Sequence, residues 1–155
     1  MATRRRLPAA TVAEIVGLTR QLHRQWAKKG LIRQPGREGC DEFDLVELTV
    51  LHALMDQLGP EEARIAWSQV RPMLRERLAT GQFDLVYDSQ LKLATLADSS
   101  GAVADLVRHG RPVRVFPLEH PLLASREAYR RALSPEASRS GSSNIARRTR
   151  RRFGT

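Results

Sequence analysis

The stretch GLTRQLHRQWAKKG, residues 17–30, decides how the chain is read. Gly17 and Gly30 bracket it, and glycine ends helices because it enters the left-handed region without a Cβ penalty. Thr19 is placed to cap a helix running to about Lys29, its hydroxyl accepting a first-turn N–H. Leu18, Leu22 and Trp26 recur every four residues and stack on one face. With that face inward, Arg20, Gln21, Arg24, Gln25 and Lys28 share the wet side of one short helix.

Working outward, Thr11 and Glu14 form the Thr-x-x-Glu pattern of a capping box. The short helix they predict has Val12, Ile15 and Val16 on its apolar side and stops at Gly17. Two short helices therefore meet at a Gly-Leu-Thr turn. Downstream, RQPGREGCDEF at 33–43 holds Pro35, Gly36 and Gly39 between extended stretches, as a tight two-stranded wing requires. Asp44 then caps a third helix with Glu47 as its box partner. Leu45, Leu48, Leu51, His52, Leu54, Met55 and Leu58 keep the helical period up to Gly59. Pro60 restarts a helix at its first turn, where the missing N–H costs nothing, and Ala63, Ala66, Trp67, Val70, Met73 and Leu74 carry it towards Leu78.

Thr80-Gly81 breaks that period. Phe83, Leu85 and Tyr87 alternate, Leu91, Leu93, Thr95 and Leu96 lean extended, and Val113, Val115 and Phe116 follow Gly110-Arg111-Pro112 as another strand. Asp98, Ser99 or Ser100 caps a helix containing Val103, Leu106 and Val107. The prediction is a β-β-α-β unit with a closing helix at about 121–133. The expected class is α+β. It divides into a basic arm (1–10), a mostly α winged helix-turn-helix (11–78), a small α/β module (81–133) and a flexible basic tail (134–155).

The net charge is +9, and its distribution matters more than its sum. Residues 1–40 carry nine Arg or Lys against two Glu, residues 41–138 eleven against fifteen acids, and residues 139–155 six Arg against none. A G- and C-rich genome yields the same preference for Arg over Lys, but it does not cluster charge at the two ends. Arg4, Arg5 and Arg6 suit a minor groove or a phosphate backbone, and equally a solubilising arm. The same holds for Arg147, Arg148, Arg150, Arg151 and Arg152. One cysteine, Cys40, excludes an internal disulfide, and four scattered histidines give no metal-ligand spacing. No apolar run approaches the ~18 residues of a membrane span, and no secretory leader is read, so a cytoplasmic, nucleoid-associated protein is expected.

Trp26 and Trp67 fall on apolar stripes and read as core. Asp41, Glu42, Asp44 and Glu47 look like paired catalytic carboxylates, but acids at a helix start are favoured by its dipole, so capping explains them. No nucleophile elbow, P-loop or dinucleotide fingerprint is present, and no enzyme activity or cofactor is expected.

Gly17-Leu18-Thr19, then Arg24, Trp26, Lys28, Lys29 and Gly30-Leu31-Ile32, the Pro/Gly-rich segment and the Asp44-Leu45-Val46-Glu47-Leu48 helix start together resemble the DNA-binding domain of MerR-family regulators. The likeness covers about residues 10–76. It implies a recognition helix in the major groove, with contacts from Thr19, Arg20, Gln21, Arg24, Gln25 and Lys28. Two departures stand out. His23 occupies a position usually apolar, so either the helix is turned slightly or His23 packs in the core. The wing's usual Gly-Tyr-Arg reads Gly39-Cys40-Asp41, which leaves wing contacts to Arg33 or Arg37. The family's long dimerisation helix is replaced by strands from about residue 80, although a homodimer stays open. Phage immunity repressors of actinobacterial type pair a similar winged domain with a small α/β module, a resemblance that implies repression by occlusion.

The expected function is a sequence-specific regulator of transcription that binds double-stranded DNA and represses by occluding its operator. An excisionase-like or architectural DNA-binding protein is the first alternative. A protein-binding adaptor without nucleic acid is the second. Operator and small-molecule effector are not encoded legibly.

Overall fold

Seven consecutive residues of one helix, Leu45 to Leu51, are buried. A helix wet on one side buries only a stripe, so this one must be surrounded. In a computed structural model, which describes residues 5–80, 83–97, 104–105, 107–110 and 112–134, it is the hub of an α+β fold. Among the described residues there are five helices and three strands: α1 (Ala9–Val16), α2 (Arg20–Lys28), α3 (Glu42–Leu58), α4 (Pro60–Thr80), β1 (Asp84–Asp88), β2 (Leu93–Ala97), β3 (Val113–Pro117) and α5 (Glu119–Leu133). The hub is α3, packed by α4, α5 and α1.

The helix starts differ from the sequence expectation. Helix α1 begins at Ala9 behind Pro8, whose φ of −57° and ψ of 145° suit a helix N-cap and whose carbonyl accepts from Thr11 and Val12. Thr11 lies inside the first turn and caps nothing, so the Thr11/Glu14 box does not form. Gly17, at φ 91°, ends α1 as expected. Helix α3 is capped by Asp41 rather than Asp44. Asp41 Oδ1 accepts from Asp44 N at 2.8 Å while Asp44 Oδ2 accepts from Asp41 N at 2.9 Å, a reciprocal box set three residues earlier. Glu47 is thereby released to turn inward.

The two-stranded wing does not form. Residues 33–39 hold no strand, only a turn at 37–38, and Cys40 makes an isolated antiparallel bridge to Leu7. The loop's partner is thus the N-terminal arm and not its own other limb. Arg33 pulls the limb down onto α3 by reaching Asp44 and the Gly39 carbonyl. Gly39 is required at this crossing, because its φ is 83° and a Cβ there would press into the Leu7 carbonyl.

Beyond α4 the sheet has the order β2-β1-β3, antiparallel throughout, with Leu85 opposite Leu96 and Phe116. Leu85, Tyr87, Ala94, Leu96 and Phe116 belong to the same apolar cluster as the helices. Gln69 of α4 staples β2 with both ends of its amide, donating to the Lys92 carbonyl and accepting from Ala94 N. The strands match the expected β-β-α-β unit. Of its helix only residues 104–105 and 107–108 are described, as helical, and the expected caps Asp98, Ser99 and Ser100 lie outside the described residues. Helix α5 returns to the N-terminal helices, with Ser125 hydrogen-bonded to Thr49 and Tyr129 buried beside Cys40.

Candidate nucleic-acid interface

Helix α2 is short, nine residues or roughly 14 Å at 1.5 Å per residue, and is fixed at both ends. At its start Thr19, extended at φ −72° and ψ 152°, accepts from Leu22 N at 3.1 Å, as the sequence predicts. Its inner face is His23, Trp26 and Ala27, spaced i, i+3, i+4. The expected Leu18, Leu22, Trp26 face is corrected accordingly. Leu18 is buried in the turn, but Leu22 is only half-buried and His23, 4% exposed, takes its place. Burial pushes His23 below the usual imidazole range, while a backbone hydrogen bond at Ala9 and the Asp44 charge pull the other way. Its ring borders recesses lined by Ala9 and Ala10 of α1 and by Asp44, Glu47 and Leu48 of α3.

This rotation leaves Arg20, Gln21, Arg24, Gln25 and Lys28 all exposed. Arg20, Arg24 and Lys28 fall four apart and line one stripe. No acid stands in the chain between Glu14 and Glu38. Among the described residues none of the three cations forms an ion pair. The first-turn N–H groups of Arg20 and Gln21 have no carbonyl four residues back within the helix, so they add the positive end of its dipole to this face. Arg20 and Arg24 also flank a recess of about 320 Å³ shared with Ala9, Ala10, Gln34 and Pro35.

The exit of α2 is clamped from α4. Trp67, 2% exposed, donates its indole N–H to the Leu31 carbonyl at 2.6 Å. Arg71 donates to the Gly30 carbonyl at 3.2 Å and to Glu47 at 2.7 Å, with its guanidinium 5.9 Å from the Trp67 ring centre. Burial raises the Glu47 carboxyl above its ordinary value despite the Arg71 charge. Sequence reasoning missed this clamp. Its signal was available: an acid amid the apolar run of α3, nearly two turns beyond the Asp41 cap, needs a cation from a facing helix.

The remaining predicted contacts scatter. Arg33 grips Asp44 with two nitrogens, at 2.7 and 3.2 Å, so it is a strut between loop and α3 and not a free wing contact. Burial acts to raise the Asp44 carboxyl, but the Arg33 fork and the Asp41 N–H outweigh it and hold it below the usual range. Arg6 is paired with Glu38 at 2.9 Å. Arg5 is exposed, though its carbonyl accepts from the Tyr129 hydroxyl. Arg37 stands exposed at the loop turn, and Arg4 lies outside the described residues. The fold therefore gathers Thr19, Arg20, Gln21, Arg24, Gln25 and Lys28 on one element and diverts Arg33 and Arg6 to structural pairs.

No group of three or more His, Cys, Asp or Glu side chains among the described residues is placed to hold a metal ion. No described helix is long and apolar enough to cross a membrane. No protein-family model matches the chain, and no curated protein matches it.

Proposed function

We propose that this protein binds double-stranded DNA by laying α2 in the major groove and regulates transcription by occluding its site. One observation carries the reading. A nine-residue helix presents Arg20, Gln21, Arg24, Gln25 and Lys28 outward, free of acids, while its other face and both its ends are locked. An exposed α-helix fits the major groove, where Arg pairs with guanine edges and Gln with adenine. Rigidity matters because a mobile helix would lose on binding the entropy that this one has already lost on folding. The α1-turn-α2 arrangement and the resemblance to MerR-type domains point the same way.

Occlusion follows from what comes after α4. The described chain turns to a sheet and to α5, which packs on α3 and α1 and does not project as a dimerisation lever. With α5 folded back in this way, the described chain favours competing for the site over untwisting it.

The test is selection of bound duplexes from random DNA, followed by affinity against salt. The slope of log K against log salt should approach −0.9 per phosphate engaged. Arg20→Ala with Arg24→Ala should abolish protection; Arg24→Ala alone should weaken binding at every sequence and flatten the slope by about one phosphate, and Arg20→Ala alone should blur the preferred sequence. Gln21→Ala should blur the preferred sequence. Equal footprints from wild type and the double variant would overturn the proposal.

A further inference from the structure

We propose that the cleft between the N-terminal arm, the start of α3, the end of α4 and α5 binds a small amphipathic anion: an apolar body, flat or chain-like, with one carboxylate or similar acid group. The cleft measures about 560 Å³, inside the ~300–1,000 Å³ span of small-molecule sites. Its floor is Phe43 and Val46 of α3, Leu78 of α4 and Leu133 of α5. Val46 is buried and the other three are half-buried, so apolar surface stays in contact with water until something covers it.

The charges around this floor do not cancel. Glu42 is occupied by Arg126 at 2.8 Å and Arg130 at 3.4 Å, and Asp41 is consumed by the α3 cap. Arg5 and Arg75 remain on the rim, and neither makes an ion pair among the described residues. Arg75 lies over the Phe43 ring, 4.1 Å from its centre. Stacking there holds the guanidinium against the cleft wall and leaves its N–H edge to a carboxylate. Two unmatched cations above an apolar floor select for both properties together. A neutral molecule would leave the cations unused, and a small hydrophilic anion would leave the floor wet.

The chain's own tail has the wrong sign for this seat, since residues 135–155 carry six arginines and a single acid, Glu136. A DNA backbone needs a cationic track to follow and offers nothing to a concave apolar floor. The inference is independent of the DNA-binding proposal, because the cleft and the exposed face of α2 share no residue.

The full-length protein should be titrated with the aromatic sulfonate anilinonaphthalene sulfonate, followed by fluorescence, with decanoate and decanol as competitors. The expected result is one saturable site, emptied by decanoate and not by decanol at equal concentration. Arg75→Ala should weaken dye binding about tenfold, the scale of one charge-assisted hydrogen bond. Arg64→Ala, which removes an exposed charge elsewhere on α4, should leave it within about twofold. Leu78→Gln should weaken it too, and because Arg75 is exposed, Arg75→Ala decides the matter if Leu78→Gln lowers the unfolding midpoint. Several outcomes overturn the inference: no saturable site, equal displacement by decanol, equal loss in Arg64→Ala, or displacement of the dye by a short duplex at equimolar amounts.

Discussion

Replacing Arg71 by methionine keeps the apolar stem and removes the charge that Glu47 faces. The Glu47 side chain is 7% exposed and its bond to Arg71 is 2.7 Å. Breaking a buried pair from one side costs about 3–5 kcal/mol, because the abandoned charge stays desolvated. Arg71 is 35% exposed, which places this pair at the lower end, about 3 kcal/mol with the lost Gly30 contact included. In a chain of this size that is a fall in Tm of roughly 6–12 °C. The loss should depend on pH in a defined direction. Burial already holds the folded Glu47 above the ordinary carboxyl value of 4.5, and removing Arg71 raises it further. The native state then binds more protons than the unfolded chain across that interval, so stability falls as pH rises through it. The gap between Arg71→Met and wild type should thus be small near pH 4 and full above the raised value, with thermal melts at about pH 4 and pH 7.5 separating the two. Adding Glu47→Gln should return most of the loss. A gap that is flat with pH, a cost below about 1 kcal/mol, or no recovery in the double variant would refute the buried-charge account.

Two further expectations concern the turns. Thr19→Ala should cost about 1 kcal/mol, the usual value of an N-cap hydroxyl, whereas Thr11→Ala should cost nearly nothing despite its Thr-x-x-Glu pattern; urea melts of both variants decide which threonine caps a helix. Gly39→Ala should cost about 2–3 kcal/mol by forcing a Cβ onto the Leu7 carbonyl at positive φ, and faster amide exchange at Leu7 and Cys40 would show the arm detaching. Unchanged exchange there would contradict the crossing.

Most of the element order was legible because glycine and proline punctuate it. Gly17, Gly30, Gly59 and Pro60 mark real boundaries, and the alternation Phe83, Leu85, Tyr87 marks a real strand. The failures are local competitions that one sequence cannot arbitrate. Asp41 and Asp44 are both good caps, and in the fold Asp41 takes the cap while Asp44 returns its bond and also holds Arg33, eleven residues away. Pro35, Gly36 and Gly39 are as compatible with a folded loop as with a hairpin, and the partner that decided, Leu7, lies in the arm. His23 was legible as an anomaly but not as the pivot of α2, since its pocket is built by α1 and α3. Helix α4 runs through Pro72 on its exposed side, where the Ser68 carbonyl left without an N–H partner can turn to water. The return of α5 onto α3 was invisible, because nothing in residues 119–133 names the surface they cover.

The placement of charge bears on the DNA proposal more than its amount does. Where this chain builds structure it matches arginine with acid: Arg6 with Glu38, Arg33 with Asp44, Arg71 with Glu47, Arg126 and Arg130 with Glu42. On α2 it does the opposite, setting Arg20, Arg24 and Lys28 at spacing four, where like charges cost an isolated helix about 0.2–0.5 kcal/mol per pair. A glutamate at position 21 or 25 would relieve that repulsion, yet both positions hold glutamine. The helix pays a stability cost on an exposed face, and glutamine there keeps hydrogen-bonding capacity without bringing in negative charge. Like charge held on a wet helix face with no acid set against it is the pattern expected of a contact surface for a polyanion.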